Sequence, residues 1–570
     1  MKTLRACALS ALLLVGLTSC GDGGAFAIFG DTRESTTPVE NNPENAAAAA
    51  RFLTQATFGP TDNDIKTVTA KGYDAWLDGE FNAVSSSHLA YVDNRLAQML
   101  LTNPSASLSA NQFYESYWLY ASTGRAQLRE RMKLALSEIF VISLVDSAVD
   151  TRGAASYYDM LGTNAFGNYR TLLEQVALHP MMGRYLTHLA NQKEDTASGR
   201  KPDENFAREV LQLMSIGTYQ LNADGTLRRD GAGATIPTYT SDDISNLAKV
   251  FTGYSYYSPT PTNTTFFGGS RNVDAYVRPM IFYANYHSVT AKTFLGTTIP
   301  AGAASANDLT TALDTIFNHP NVPPFMCQRL IQRLVTSNPT PAYVGRCSAV
   351  FSNNGAGVRG DLRAVTKAIL MDPEARNASL ASTPGYGKVR EPIIRLTNWI
   401  RAFGATSVSG GYLITSTSAN TSLGQSPLTS PSVFNFYRPG YIPPNTRLGA
   451  QSLTAPEFQI VDEVTVAGYA NTMQTAIGTG IGSGSDVRSA YVNEVAIAAD
   501  ANTLVDRMDR MLLYGQMSPA LRSRIIESVN SIVIPAPTAN NAATIATAKL
   551  NRAKLAIYMT MVSPEYLVQR

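Results

Sequence analysis

The chain reads as a mainly α protein: one large helical body with a small β-containing excursion around 255–300. Three observations point there. Apolar residues recur at helical spacing over most of the chain. Hydrophobic residues are 44% of 570, enough for a sizeable core and too many for global disorder. The stretch 255–300 breaks the pattern, being rich in Tyr, Phe, Thr and Gly with β-leaning runs at 280–283 and 292–295.

The N-terminus fixes the expected compartment. Lys2 and Arg5 precede an apolar stretch from Ala6 to Leu17, and Leu17-Thr18-Ser19-Cys20 follows. This is the layout of a secretory signal with a small-residue cleavage site. The apolar run is too short to cross a bilayer as a mature helix. LTSC resembles a bacterial lipobox, which implies a lipoprotein signal peptide over 1–19, its removal, and lipid on Cys20. Acyl chains hold such a protein at a membrane because each buried methylene favours the bilayer by about 0.8 kcal/mol. The expected location is the cell envelope, outer membrane or periplasm-facing in a Gram-negative host, since Gly21 rather than Asp follows the cysteine. Residues 20–46 carry the lipidated Cys and then a flexible tether punctuated by Gly, Pro and Asn.

Charge excludes one class of partner. The whole chain carries 46 basic and 44 acidic residues, and cleavage takes Lys2 and Arg5 away without an acid. A net charge near zero leaves no globally basic surface for nucleic acid.

The body is expected over 47–455, with a C-terminal helical region at 456–570 packed on it. Periodicity predicts helices at 45–56, 62–70, 125–145, 168–178, 181–191, 204–216, 241–252, 308–318, 323–335, 360–371 and 389–403. A joint recurs at Leu178-His179-Pro180, Asn318-His319-Pro320 and Met371-Asp372-Pro373. The residue before proline is pushed out of the helical region, so one helix stops and proline can open the next. His179 and His319 stand at these helix ends, where a positive charge would suit the dipole. Of four cysteines, Cys327 and Cys347 remain free of signal and lipid; in an oxidising compartment they are expected to pair, closing a loop worth roughly 3 kcal/mol.

Established catalytic signatures are missing. There is no H-E-x-x-H, no G-x-S-x-G and no P-loop. Ser198 and Lys201 fit S-x-x-K, but Gly199 and Pro202 keep that serine from opening a helix. The histidines are scattered and the cysteines lack zinc spacing, so neither a metal nor a cofactor is expected.

Several polar constellations remain. In DENFAREVLQL (203–213), Glu204 and Arg208 are spaced i,i+4, as are Asn205 and Glu209. Thr240 and Asp243 form a capping box, which leaves Asp242 unexplained. His287 and Lys292 flank a β-leaning run, and Arg390-Glu391-Pro392 opens a late helix where Glu391 suits the dipole.

With these pieces the chain resembles the bacterial domain-of-unknown-function family 1800. The matching stretches are RFLTQATFGPT (51–61), RERMKLALSEIF (129–140), DENFAREVLQL (203–213), YTSDDISNLAKVFTGY (239–254), HSVTAKTFLG (287–296), GKVREPIIRLTNWIRAFGA (387–405) and SPSVFNFYRPGYIPP (430–444). The resemblance implies an exported, largely helical protein, often encoded beside a second exported family numbered 1501, which makes a member of that family a candidate partner. One departure matters. Many members look like R-E-K-M-A-L-F-W-H-N-H-F where this chain has RERMKLALSEIF, so Leu136, Ser137, Glu138 and Ile139 replace Trp, His, Asn and His. A role resting on that histidine pair does not carry over; Glu138, in an apolar helix, is expected to be neutral or paired with an arginine.

Two functional readings follow. The first is an envelope lipoprotein that binds or assembles with another exported protein or a surface polymer. The second is a hydrolase-type enzyme whose cleft gathers Asn205, Arg208, Glu209, Asp242, His287, Lys292, Arg390 and Glu391, with His287 or Glu209 as general base.

Overall fold

A computed structural model describes residues 39–570, so the signal segment, Cys20 and most of the 20–46 tether lie outside the described residues. Helix makes up 52% of the described residues and strand 5%, the mainly α class that the sequence predicts. The proline joints form as the backbone rule requires. One helix ends at Leu178 and another opens at Pro180, with His179 between them as its N-cap. The same stop occurs at Asn318, and at Leu370 before the short Pro373–Arg376 helix. The two histidines do not act as cations there. His179 Nδ1 accepts the Met181 N–H and His319 Nδ1 accepts the Asn321 N–H. Burial pushes the His179 ring down to about 3, so a neutral acceptor caps the following helix instead of a positive charge capping the preceding one.

The helix expected at 125–145 is shorter than its apolar run. It spans Gln127–Ser137 and stops at Glu138. Ile139, Val141 and Ile142 are β-branched and poor helix formers. The chain instead extends, with Leu144 N–H donating to the Leu428 carbonyl (2.7 Å) and Ser143 Oγ to the Ser430 carbonyl (2.7 Å). The helix expected at 181–191 likewise ends early, at Tyr185.

Strands among the described residues form four two-stranded antiparallel ladders. Two lie in the excursion: Tyr254–Ser255 pairs with Ile281–Phe282, and Lys292–Phe294 pairs with Thr297–Ile299. A third joins Lys388–Val389 to Val568–Gln569, the last residues of the chain. Arg51 adds to this closure by donating from Nε to the Arg570 carbonyl (3.0 Å).

One continuous apolar core runs from Ala49 in the first helix to Tyr566 near the end, with Trp118 and Trp399 among its largest buried side chains. The Ala110–Thr123 helix packs against the Pro392–Ala402 helix. Cys327 and Cys347 form a disulfide between the Val322–Leu334 and Pro341–Ser352 helices, Cα atoms 5.8 Å apart, and both are buried. No described helix is long and apolar enough to cross a membrane.

Candidate functional site

The polar residues singled out from the sequence fall into three places. Asn205, Arg208 and Asp242 are exposed. Arg208 donates to Glu204 one turn away (3.3 Å), an exposed pair worth a few tenths of a kcal/mol. Glu209, on the inner side of the same Asn205–Gln212 helix, is 7% exposed with one carboxylate oxygen unpartnered; burial pushes its carboxyl up. Asp243 completes the capping box with Thr240 and also accepts the Leu295 N–H (2.7 Å), tying the Ser241–Val250 helix to the neighbouring hairpin.

His287 and Lys292 meet at a residue that sequence reasoning missed. Asp308 Oδ2 lies 3.0 Å from His287 Nε2 and 2.8 Å from Lys292 Nζ. His287 Nδ1 donates to the Thr252 carbonyl (2.8 Å), so both ring nitrogens face acceptors. Lys292 Nζ also donates to the Ser288 carbonyl (2.8 Å). Ser288 Oγ and Thr290 Oγ1 donate to Glu194 at 2.9 and 2.6 Å. All three of His287, Lys292 and Asp308 are buried. The arrangement locks the Asn307–Asn318 helix to the excursion.

The third place is the centre of the body. Arg390 and Glu391 are chain neighbours with separate partners. Arg390 donates to the carbonyls of Tyr566 (2.7 Å) and Leu512 (3.2 Å) and stacks on the Tyr566 ring at 4.4 Å. Glu391 is the N-cap of the Pro392–Ala402 helix but makes no capping bond; its side chain turns inward, where Gln425 Nε2 donates to it (2.7 Å). There it faces Glu138, and each carboxyl acts on the other's titration. Around them, Arg333 Nε lies 3.3 Å from Glu138, Lys388 Nζ 3.1 Å from Glu457 and 3.9 Å from Glu391, and Tyr437 Oη donates to Glu138 (3.4 Å). Arg131 completes the set, donating to the Arg333 carbonyl, with Nε and Nη1 unpartnered. Each of these charged groups is under 5% exposed.

Two facing carboxyls in the interior oppose each other's ionisation, which favours keeping a proton on one of them. Burial, and then the Glu391 charge, push Glu138 well above the usual carboxylate range despite Arg333. Burial would raise Glu391 too, but the protonated Glu138 and the charges of Lys388, Arg131 and Arg333 win and hold it below that range. The expectation for Glu138 therefore holds in both halves: it is neutral and it faces an arginine.

The eight residues fall into three groups, and among the described residues no side-chain hydrogen bond or ion pair joins one group to another. Two surface depressions, of about 480 and 370 Å³, lie beside Tyr514 and Arg570 and between Asp62 and Tyr491; none of the eight lines either, and the Arg390 guanidinium stands 5.8 Å from the Tyr514 ring at the first. Among the described residues no three His, Cys, Asp or Glu side chains gather as a metal site would require. Of the residues that sequence reasoning missed, Arg131, Lys388 and Tyr437 sat inside the motif pieces 129–140, 387–405 and 430–444, the first two of which also supply Glu138 and Glu391. Three stretches, the first of them more than two hundred residues before the other two, thus close on one buried centre, while 239–254 and 287–296 close around His287 and Asp308.

A family described as protein of unknown function (DUF1800) matches residues 51–568. No curated protein and no solved structure matches the chain.

Proposed function

The chain belongs to the DUF1800 family, and from that premise we propose that it is an exported lipoprotein, anchored through Cys20, whose helical body binds or assembles with another exported protein or a surface polymer. The observation that carries this reading is the Cys327–Cys347 disulfide. Disulfides persist in oxidising compartments and are rare in the cytosol, so a buried cross-link in a chain with a lipobox-like leader supports export. The body would hang from the acyl anchor on residues 20–46, at the periplasmic or outer face of a membrane. A member of family 1501 is the candidate protein partner.

A binding role is preferred over hydrolysis because the polar groups of the motifs are spent internally. His287, Lys292, Arg390 and Glu391 are buried and hold carbonyls, carboxylates or amides of this same chain. The groups left open are Asn205, Arg208 and Asp242, on the outer faces of two adjacent helices. The test is capture from detergent-solubilised envelopes, comparing wild type with Arg208→Ala and Cys20→Ser. Capture of one exported partner by wild type, weakened by Arg208→Ala and lost from the membrane fraction in Cys20→Ser, is the expected result. Equal partition of Cys20→Ser and wild type into membranes would overturn the anchor.

A further inference from the structure

We propose that the face of the excursion formed by Arg271, Arg278 and Phe267 is a binding site for an acidic polysaccharide bearing uronate carboxylates. The proposal rests on the reading of the protein as a surface-polymer binder and names the polymer's chemistry.

Two guanidinium groups are displayed there without an acid. Arg278 lies 3.5 Å over the Tyr257 ring, and Arg271 lies 5.6 Å from the rings of both Tyr256 and Tyr276. Both arginines are exposed, and among the described residues no ion pair or side-chain hydrogen bond engages either. The single acid in 255–286 is Asp274, and Arg152 holds it at 2.9 Å while also gripping Asp93 through two N–H groups. Two uncompensated charges therefore face solvent on a protein whose overall charge is near zero.

The platform beneath them is rigid. Arg184 donates to Tyr256 Oη (2.7 Å), and Tyr283 Oη donates to the Tyr256 carbonyl (2.8 Å), so the ring under Arg271 is fixed at both ends. A guanidinium stacked by its face keeps its in-plane N–H fork, which matches a carboxylate bidentately, and loses little freedom on binding. Phe267 stands beside this fork, 59% exposed. Gly268 makes that approach possible: its φ is +78°, and a Cβ there would lie 3.1 Å from the Tyr256 ring and 3.3 Å from Arg271 Nη1. Behind Phe267, Tyr286 stacks on Phe266 with centroids 3.7 Å apart. An exposed ring next to a carboxylate-binding fork suits a charged sugar, whose pyranose ring has an apolar C–H face and an ionised edge. A phospholipid surface would answer to the charge alone.

The test is titration of the whole protein in detergent with polygalacturonate, with dextran, and with phosphatidylglycerol vesicles. Wild type is expected to bind polygalacturonate in a salt-sensitive way and to ignore dextran. The pair Arg271→Gln and Arg278→Gln should weaken binding at least tenfold with an unchanged melting temperature; Arg→Lys at both positions should recover part of it. Phe267→Ala, which trims an exposed ring, should weaken it at least threefold and carries the test should the double variant melt early. Unchanged polygalacturonate binding in these variants, equal binding of dextran, or a loss confined to vesicles would overturn the proposal. Acylation and envelope capture read out separately, so failure here leaves the anchoring reading standing.

Discussion

Glu138 and Glu391 look alike in the sequence and differ in charge in the fold. Burial and the Glu391 charge favour the protonated form of Glu138, so Glu138→Gln should cost under about 1 kcal/mol. Glu391 is the counter-charge for Lys388, Arg131 and Arg333. Glu391→Gln removes one buried counter-charge from this set, leaving Glu457 on Lys388, and should cost about 3–5 kcal/mol. Urea unfolding of the two variants measures the difference, and equal costs would contradict the assignment. Other buried groups make stability depend on pH. Burial pushes His179 and His188 down to about 3 and about 4, below the ordinary 6.5. The unfolded chain then binds more protons than the folded one, so their contribution is present above about pH 6.5 and lost as pH falls toward those values, by about 1.4 kcal/mol per unit for each. Glu80 runs the other way. Burial raises it to about 7, against the Leu128 N–H it accepts. Its contribution is present below about pH 4.5 and lost as pH rises through about 7. Glu80→Gln should therefore match wild type near pH 4.5 and exceed it at pH 8 by about 1–3 kcal/mol. Melting temperature against pH for the two proteins reads this directly.

At the scale of elements, what the sequence disclosed followed from local chemistry. Proline joints stopped helices at 178, 318 and 370, and the Thr240–Asp243 box opened the Ser241–Val250 helix. Elements with mixed surroundings were not legible. The Ala110–Thr123 helix buries Phe113, Tyr114, Tyr117 and Trp118 toward several neighbours at once. A helix buried on most sides shows no clean period, and aromatic residues are indifferent helix formers. The Thr151–Asn164 helix, buried at nine of fourteen residues, is illegible for the same reason; Tyr73–Asn82, His88–Thr102 and Pro341–Ser352 were also not predicted. The disulfide links the last of these to Val322–Leu334 across a sequence separation of 20. Cys347→Ser should lower unfolding stability by about 3 kcal/mol, and reducing agent should lower the wild type alone by a similar amount. A reductant with no effect on the wild-type midpoint would contradict a formed cross-link.

Across the whole molecule the chain ends are tied together. The final strand pairs with 388–389, Gln569 Nε2 donates to the Leu334 carbonyl (2.7 Å), and Arg51 reaches the terminal carbonyl. The charged centre beside Lys388 is thus sealed by both ends of the described chain. This closure explains why the candidate site was only half legible. Motif pieces named Glu391, Arg390, His287 and Lys292, but their partners Asp308, Glu457 and Arg333 come from stretches that local pattern assigns to ordinary helix starts and faces. The measurement that bears most directly on an anchored body is the intact mass of the protein isolated from its native envelope. A chain beginning at Cys20 and heavier by acyl groups is the expected species; a chain beginning at Met1 with no added mass, recovered from the cytosol, would contradict it.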